Sequence, residues 1–158
     1  MTWLLLAPVA ALAGWGAWLR LAYLVAVVEG QSMTPTYRHG DRVLVRRRRG
    51  HRVRTGEIAM VDLPESMRPI PDGVSPADSL RNRRVIKRVA ATAGEAVPPS
   101  IEGRGTVVPE HHLVLLGDNP LGSGDSRQYG FVPVGAVVGV VLRSVASGRG
   151  AAPNRVTG

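Results

Sequence analysis

The feature that most narrows the folds open to this chain is a change of hydrophobic rhythm near residue 28. No residue between Trp3 and Leu19 is charged. As a helix that run would be about 26 Å long, slightly short of a ~30 Å hydrocarbon core, and continuing it through Arg20 to Val28 makes it long enough. Beyond Val28 the apolar residues come in short alternating runs divided by turn residues, the pattern of half-buried strands. The 19 glycines and 12 prolines weigh against a helical bundle, and 158 residues leave room for one domain with a real core.

The first segment, residues 1–28, reads as a single membrane anchor. Trp3, Trp15, Trp18 and Tyr23 lie toward its ends, where amphipathic rings favour the interface, and Arg20 can snorkel to the head groups. A cleavable signal peptide and a buried core helix compete with this reading. A signal peptide should open with basic residues, which are missing here, and its cleavage-like tripeptide Ala11-Leu12-Ala13 comes too early. Charge alone leaves the side of the membrane open, because the positive-inside rule weakens for long translocated domains.

Residues 29–146 read as the folded β domain and residues 147–158, rich in Gly, Ala and Pro, as a disordered tail. Strands are expected at Arg42–Arg46, Gly56–Leu63, Arg84–Ala90, His112–Leu116 and Val137–Val145, the last broken by Gly139. Glu65 to Leu80, with three prolines and Asp72-Gly73, reads as a surface loop.

Cysteine is absent, which excludes disulfides, a thiolate nucleophile and a cysteine-ligated metal. The net charge of +8 is carried almost entirely by arginine. Arg46 to Arg49, with Arg52 and Arg54, admit three readings: a solvated face, contact with anionic lipid head groups, or nucleic-acid binding. The absence of nearby stacking aromatics argues against nucleic acid.

Within this arginine-rich composition there is one lysine, Lys87. Arginine stays protonated, whereas a lysine taken out of water can lose its proton and act as a base. Chance survival under coding bias also explains a lone lysine. Alternation along the third strand puts Lys87 on one face with Val85 and Val89, a setting that lowers its pKa; an edge-strand lysine over packed valines is the competing view. Ser32, in Glu29-Gly30-Gln31-Ser32-Met33-Thr34-Pro35-Thr36, is a candidate nucleophile that needs a base. His39 and His51 lie in arginine-rich turns and His111-His112 opens a strand, so a histidine triad fits poorly and Lys87 is the better partner.

Three motifs in order then carry a resemblance. Gly30-Gln31-Ser32-Met33-Thr34-Pro35-Thr36 with Gly40-Asp41, Val85-Ile86-Lys87-Arg88-Val89 with Gly94-Glu95, and Gly117-Asp118-Asn119, Ser123, Asp125-Ser126-Arg127, Tyr129-Gly130 and Val132-Pro133 resemble the boxes of the type I signal peptidases, membrane-anchored serine-lysine proteases. The resemblance runs from the anchor to about Val141, and the short stretch between Gly94 and Gly117 places it with the compact forms. It implies a mainly β fold, an antiparallel β-sheet sandwich or partly open barrel behind one transmembrane helix. It implies Ser32 as nucleophile, Lys87 as general base and Ser123 as the residue that orients the lysine. Asp125 and Arg127 are expected to hold the last loop by ion pairing, with Arg88 as a further partner, while Asp118 and Asn119 fix a turn. Gly30, Gln31 and Met33 are expected along the substrate groove, Met33 being equally readable as core. Some members carry a hydroxyl two positions before the nucleophile; Gly30 stands there, which shifts oxyanion stabilisation toward the Ser32 N–H.

The activity implied is removal of signal or leader peptides from exported precursors at the cell membrane, on its extracytoplasmic face, with no cofactor, no metal and no nucleic acid. A dedicated maturation protease for one partner and a self-cleaving repressor-type protease share parts of the pattern. A non-enzymatic basic membrane protein is the rival from another class.

Overall fold

The computed structural model describes residues 3–64, 67, 84–101 and 103–146. The expected surface loop, apart from Met67, and the expected disordered tail lie outside the described residues. Helix α1 spans Trp3–Ala22, and strand β1, Tyr23–Val27, follows it directly. Then come β2 (Arg42–Arg47), β3 (Ile58–Asp62), β4 (Arg84–Thr92), β5 (His112–Leu116), the single-turn α2 (Ser126–Tyr129), β6 (Val132–Pro133) and β7 (Val137–Ala146).

The helical reading of residues 23–28 is corrected by this order. Tyr-Leu-Val-Ala-Val favours a pleated surface, and β1 pairs antiparallel with β2 from Tyr23 opposite Arg46 to Val27 opposite Arg42. Among the described residues no helix is long and apolar enough to cross a membrane.

All seven strands form one antiparallel sheet in the order β1-β2-β7-β3-β4-β5-β6, curled into a half-barrel. The mainly β class holds; the sandwich alternative does not, because among the described residues the pairing is continuous from β1 to β6 and there is no second sheet. Strand β7 is central, pairing with both β2 and β3. Gly139 does not break it. The residue lies within the strand, opposite Met60 on one side and Arg47 on the other. A methyl group there would overlap the Arg46 carbonyl, so the glycine marks a close backbone approach.

Alternation along the strands gives the sheet two main apolar faces. Ala59, Val61, Val89, Leu113, Leu115, Val132 and Val140 form one cluster. Met33, Val43, Val45, Met60 and Ile86 form another. Strand β4 contributes to both by simple alternation, and Lys87 belongs to the side of Val89, directly across from Ala59.

Candidate active site

Lys87 is only 3% exposed, although ammonium groups are rarely buried without a partner. Its Nζ donates to Ser123 Oγ at 2.9 Å, and Ser123 Oγ donates to Asp125 Oδ2 at 2.7 Å. Asp125 is fully buried and also accepts from Gly117 N at 2.8 Å and from the Arg127 guanidinium at 2.9 and 2.6 Å. Burial opposes its ionisation, but the hydrogen bonds from Arg127, the Gly117 amide and Ser123 prevail and hold the carboxyl down at about 2.

That ionised carboxylate sets the direction of the chain. It has no proton to give, so the Ser123 hydroxyl hydrogen points at Asp125 and the Ser123 oxygen accepts from Lys87. Burial lowers the Lys87 amine from 10.5 to about 8, with Asp125 opposing the shift and Arg127 adding to it. A neutral amine held through one N–H by Ser123 keeps a free lone pair.

Local chemistry builds the loop that presents Ser123. Asp125 caps the single turn α2 by accepting from Arg127 N. Ser126 Oγ accepts from Leu115 N at 2.9 Å, and Tyr129 Oη donates to Gly124 O at 3.0 Å. These bonds stitch the turn to β5, which pairs with the lysine strand β4.

Ser32 lies on the connection between β1 and β2. Gly30 adopts a φ of 78°, the left-handed region, and its amide donates to His39 Nδ1 at 3.1 Å. The Ser32 carbonyl accepts from Asn119 N at 3.0 Å, and Asn119 Nδ2 donates to Gln31 O at 3.2 Å. Gly117 sits between this segment and the lysine pair: a methyl group there would overlap Ser123 Oγ and come within 2.7 Å of Ser32 O. Ser32 is half-buried. A second tie runs through Arg88, whose Nε and Nη2 donate to the two oxygens of Asp118 at 2.8 Å each, while Thr36 Oγ1 donates to Asp118 Oδ2 at 2.5 Å.

Lys87, Ser123, Asp125 and Arg127 therefore form one cluster, with the Ser32 backbone against the same glycine. Two expectations are corrected. Met33 is 1% exposed and packs in the core with Val43, Val45, Met60 and Ile86, where a flexible apolar side chain fills space between branched neighbours; of the expected groove residues Gly30 and Gln31 are exposed. Arg88 engages Asp118 rather than Asp125 or Arg127, because alternation sends it to the opposite face of β4 from Lys87. Asp118 and Asn119, read in the sequence as turn residues, and Gly117 before them are what join the Ser32 segment to the lysine strand. Their place directly after β5 was the available signal, but which segment they reach is not encoded locally. Among the described residues no group of three or more His, Asp or Glu side chains converges to hold a metal ion.

The family model described as signal peptidase, peptidase S26, matches residues 1–103 and 97–145. The chain belongs to this signal peptidase family. It is 30% identical over 126 residues to the mitochondrial inner membrane protease subunit 1 of Schizosaccharomyces pombe, covering 78% of this chain and 73% of that protein. It is 30% identical over 127 residues to the mitochondrial ATP-independent inner membrane protease subunit 1b of Arabidopsis thaliana, covering 75% and 67%. The Xenopus tropicalis mitochondrial inner membrane protease subunit 1 is 31% identical over 127 residues, covering 77% and 68%.

Proposed function

We propose that this chain is a serine endopeptidase, attached to a membrane through α1, that removes signal or leader segments from exported precursor proteins. The observation that carries the reading is the buried Lys87 amine, near 8 and hydrogen-bonded to a serine whose proton is committed to Asp125. Neutral Lys87 accepts the Ser32 hydroxyl proton as Ser32 Oγ attacks the scissile carbonyl. The resulting ammonium returns that proton to the leaving amine, and an acyl-enzyme remains. Water enters, gives its proton to the same amine, and the acid product leaves as Ser32 recovers its hydrogen.

Gly30 offers no side-chain donor for the oxyanion, which leaves backbone N–H groups, that of Ser32 among them, to stabilise it. An extended substrate would lie beside the exposed residues Gly30 and Gln31, held through main-chain hydrogen bonds with its alternate side chains setting specificity. Exposed Trp15, Trp18, Leu19 and Leu21 on α1 favour the membrane attachment, as do the membrane proteases among the relatives. The sheet domain would then act on the extracytoplasmic face.

The test is cleavage of a panel of precursors in detergent. Ser32→Ala and Lys87→Ala should each abolish product, and so should Lys87→Arg, since arginine does not deprotonate. Substantial turnover by either alanine variant would sink the mechanism.

A further inference from the structure

We infer that the connection between β2 and β3 forms a binding site for the phosphate head group of an anionic phospholipid. The inference rests on the membrane-held reading above for the placement of α1. Six arginines between Arg46 and Arg54, with His51 and Val53, line an open concavity of about 920 Å³, within the size range of small-molecule sites.

The concavity is held by its backbone rather than left to loose side chains. Gly50 opens a short 3-10 turn and packs so tightly that a methyl group would overlap the Val134 carbonyl. Val53, three residues on, is buried in the main core cluster. Arg48 is fixed by two bonds to Glu57, of 2.7 and 3.0 Å, and Glu57 also accepts from Arg54 N at 2.8 Å. Among the described residues, the side chains of Arg46, Arg47, Arg49 and Arg52 meet no carboxylate, and all four are exposed. Such a set of guanidinium forks suits a phosphate, which accepts two parallel N–H bonds from each.

Position selects lipid as the source of that phosphate. Register sets Arg46 directly across from Tyr23, the first residue after α1, so the arginines continue from β2 at the end where the helix enters the sheet. The last turn of α1 adds Arg20. Trp15 and Trp18 are 61% and 56% exposed on that helix, and Trp18 stands edge-on to Tyr23 with ring centroids 6.5 Å apart. Amphipathic rings beside basic groups fit the head-group layer. The lining contains no Phe, Tyr or Trp on which a nucleic-acid base could stack.

The experiment uses the full chain in neutral detergent, titrated with dihexanoyl-phosphatidylglycerol, dihexanoyl-phosphatidylcholine, inorganic phosphate and a short single-stranded oligonucleotide. Phosphatidylglycerol should bind more tightly than the other three. The triple variant Arg47→Gln, Arg49→Gln, Arg52→Gln should weaken that binding about tenfold or more. A triple variant of equal charge change elsewhere, Arg38→Gln, Arg42→Gln, Arg143→Gln, should leave it unchanged. If the first triple fails to fold, Arg52→Glu alone serves, and it should also weaken binding. Equal loss in both triples, equal affinity for the two lipids, or phosphate or oligonucleotide binding as tight as phosphatidylglycerol would overturn the site. Ser32→Ala must bind the lipid as the unaltered chain does. A chain that binds but cleaves nothing overturns the peptidase reading alone, and one that cleaves without pocket-dependent binding overturns this inference alone.

Discussion

Arg88 grips Asp118 with two hydrogen bonds of 2.8 Å, fastening the residue next to the only lysine to the loop that leads to Ser123. Asp118 also receives Thr36, four residues after Ser32, so one carboxylate draws three segments together. The pair is partly exposed, which limits its worth to about 1 kcal/mol. Arg88→Ala and Asp118→Ala should therefore cost little in thermal stability but lower kcat, and a double-mutant cycle should show coupling of about 1 kcal/mol. Arg88→Lys should not restore activity, because an ammonium cannot match both oxygens. Strict additivity of the two losses would refute the coupling.

Activity should depend on pH through Lys87. The amine must be neutral to accept a proton, so kcat/KM should rise as pH increases toward about 8 and level off above it. A profile flat from pH 6 to 10 would contradict that role.

The same group makes a stability prediction of opposite convenience. A lysine at about 8 when folded and 10.5 when free binds fewer protons in the native state between those values, so its contribution to stability improves as pH rises through that window. Below the window it costs up to roughly 3 kcal/mol. Lys87→Met should thus be inactive yet more stable at pH 7 by about 1 to 3 kcal/mol, read from denaturant midpoints. On the acid side, Asp125 at about 2, against 3.8 when free, contributes stability that is present above pH 4 and lost as pH falls toward 2, about 2 kcal/mol in all.

Ser123→Ala should separate positioning from binding. It removes the acceptor that holds the Lys87 amine and one donor to Asp125. Loss of that orientation should lower kcat about a hundredfold with KM little changed. The pH profile should shift as well, an effect that a merely structural serine would not produce.

Gly117→Ala should be among the most damaging conservative changes. Its methyl would overlap Ser123 Oγ and press on the Ser32 carbonyl, so both sides of the site must move. A loss of about 1 to 3 kcal/mol in stability and near-complete loss of cleavage are expected. Normal turnover would show that the two serines are not set by this contact.

Five of the seven strands were legible because alternation and turn residues are local signals. Arg42–Arg47 and His112–Leu116 match their expected places to within a residue. Strand β1 was not legible: Tyr23 to Val27 continues an apolar run, and only pairing with β2 makes it a strand. Nor was β6, two residues long and defined by its place beside β5. In the site, the contacts Lys87 to Ser123 and Asp125 to Arg127 follow the motif order, whereas Arg88 to Asp118 does not.

What the sequence determined by itself is the chemistry on offer and the face each strand residue takes: a single amine that can deprotonate, flanked by valines at a spacing of two, and hydroxyl and carboxyl groups at set distances along a loop. Only the tertiary structure decided which of these meet. Alternation told that Lys87 and Arg88 point apart. Their partners, Ser123 and Asp118, come from a loop thirty and more residues away. That pairing depends on the register of β4 with β5 and on a glycine small enough to let both Ser123 and the Ser32 carbonyl come close to it.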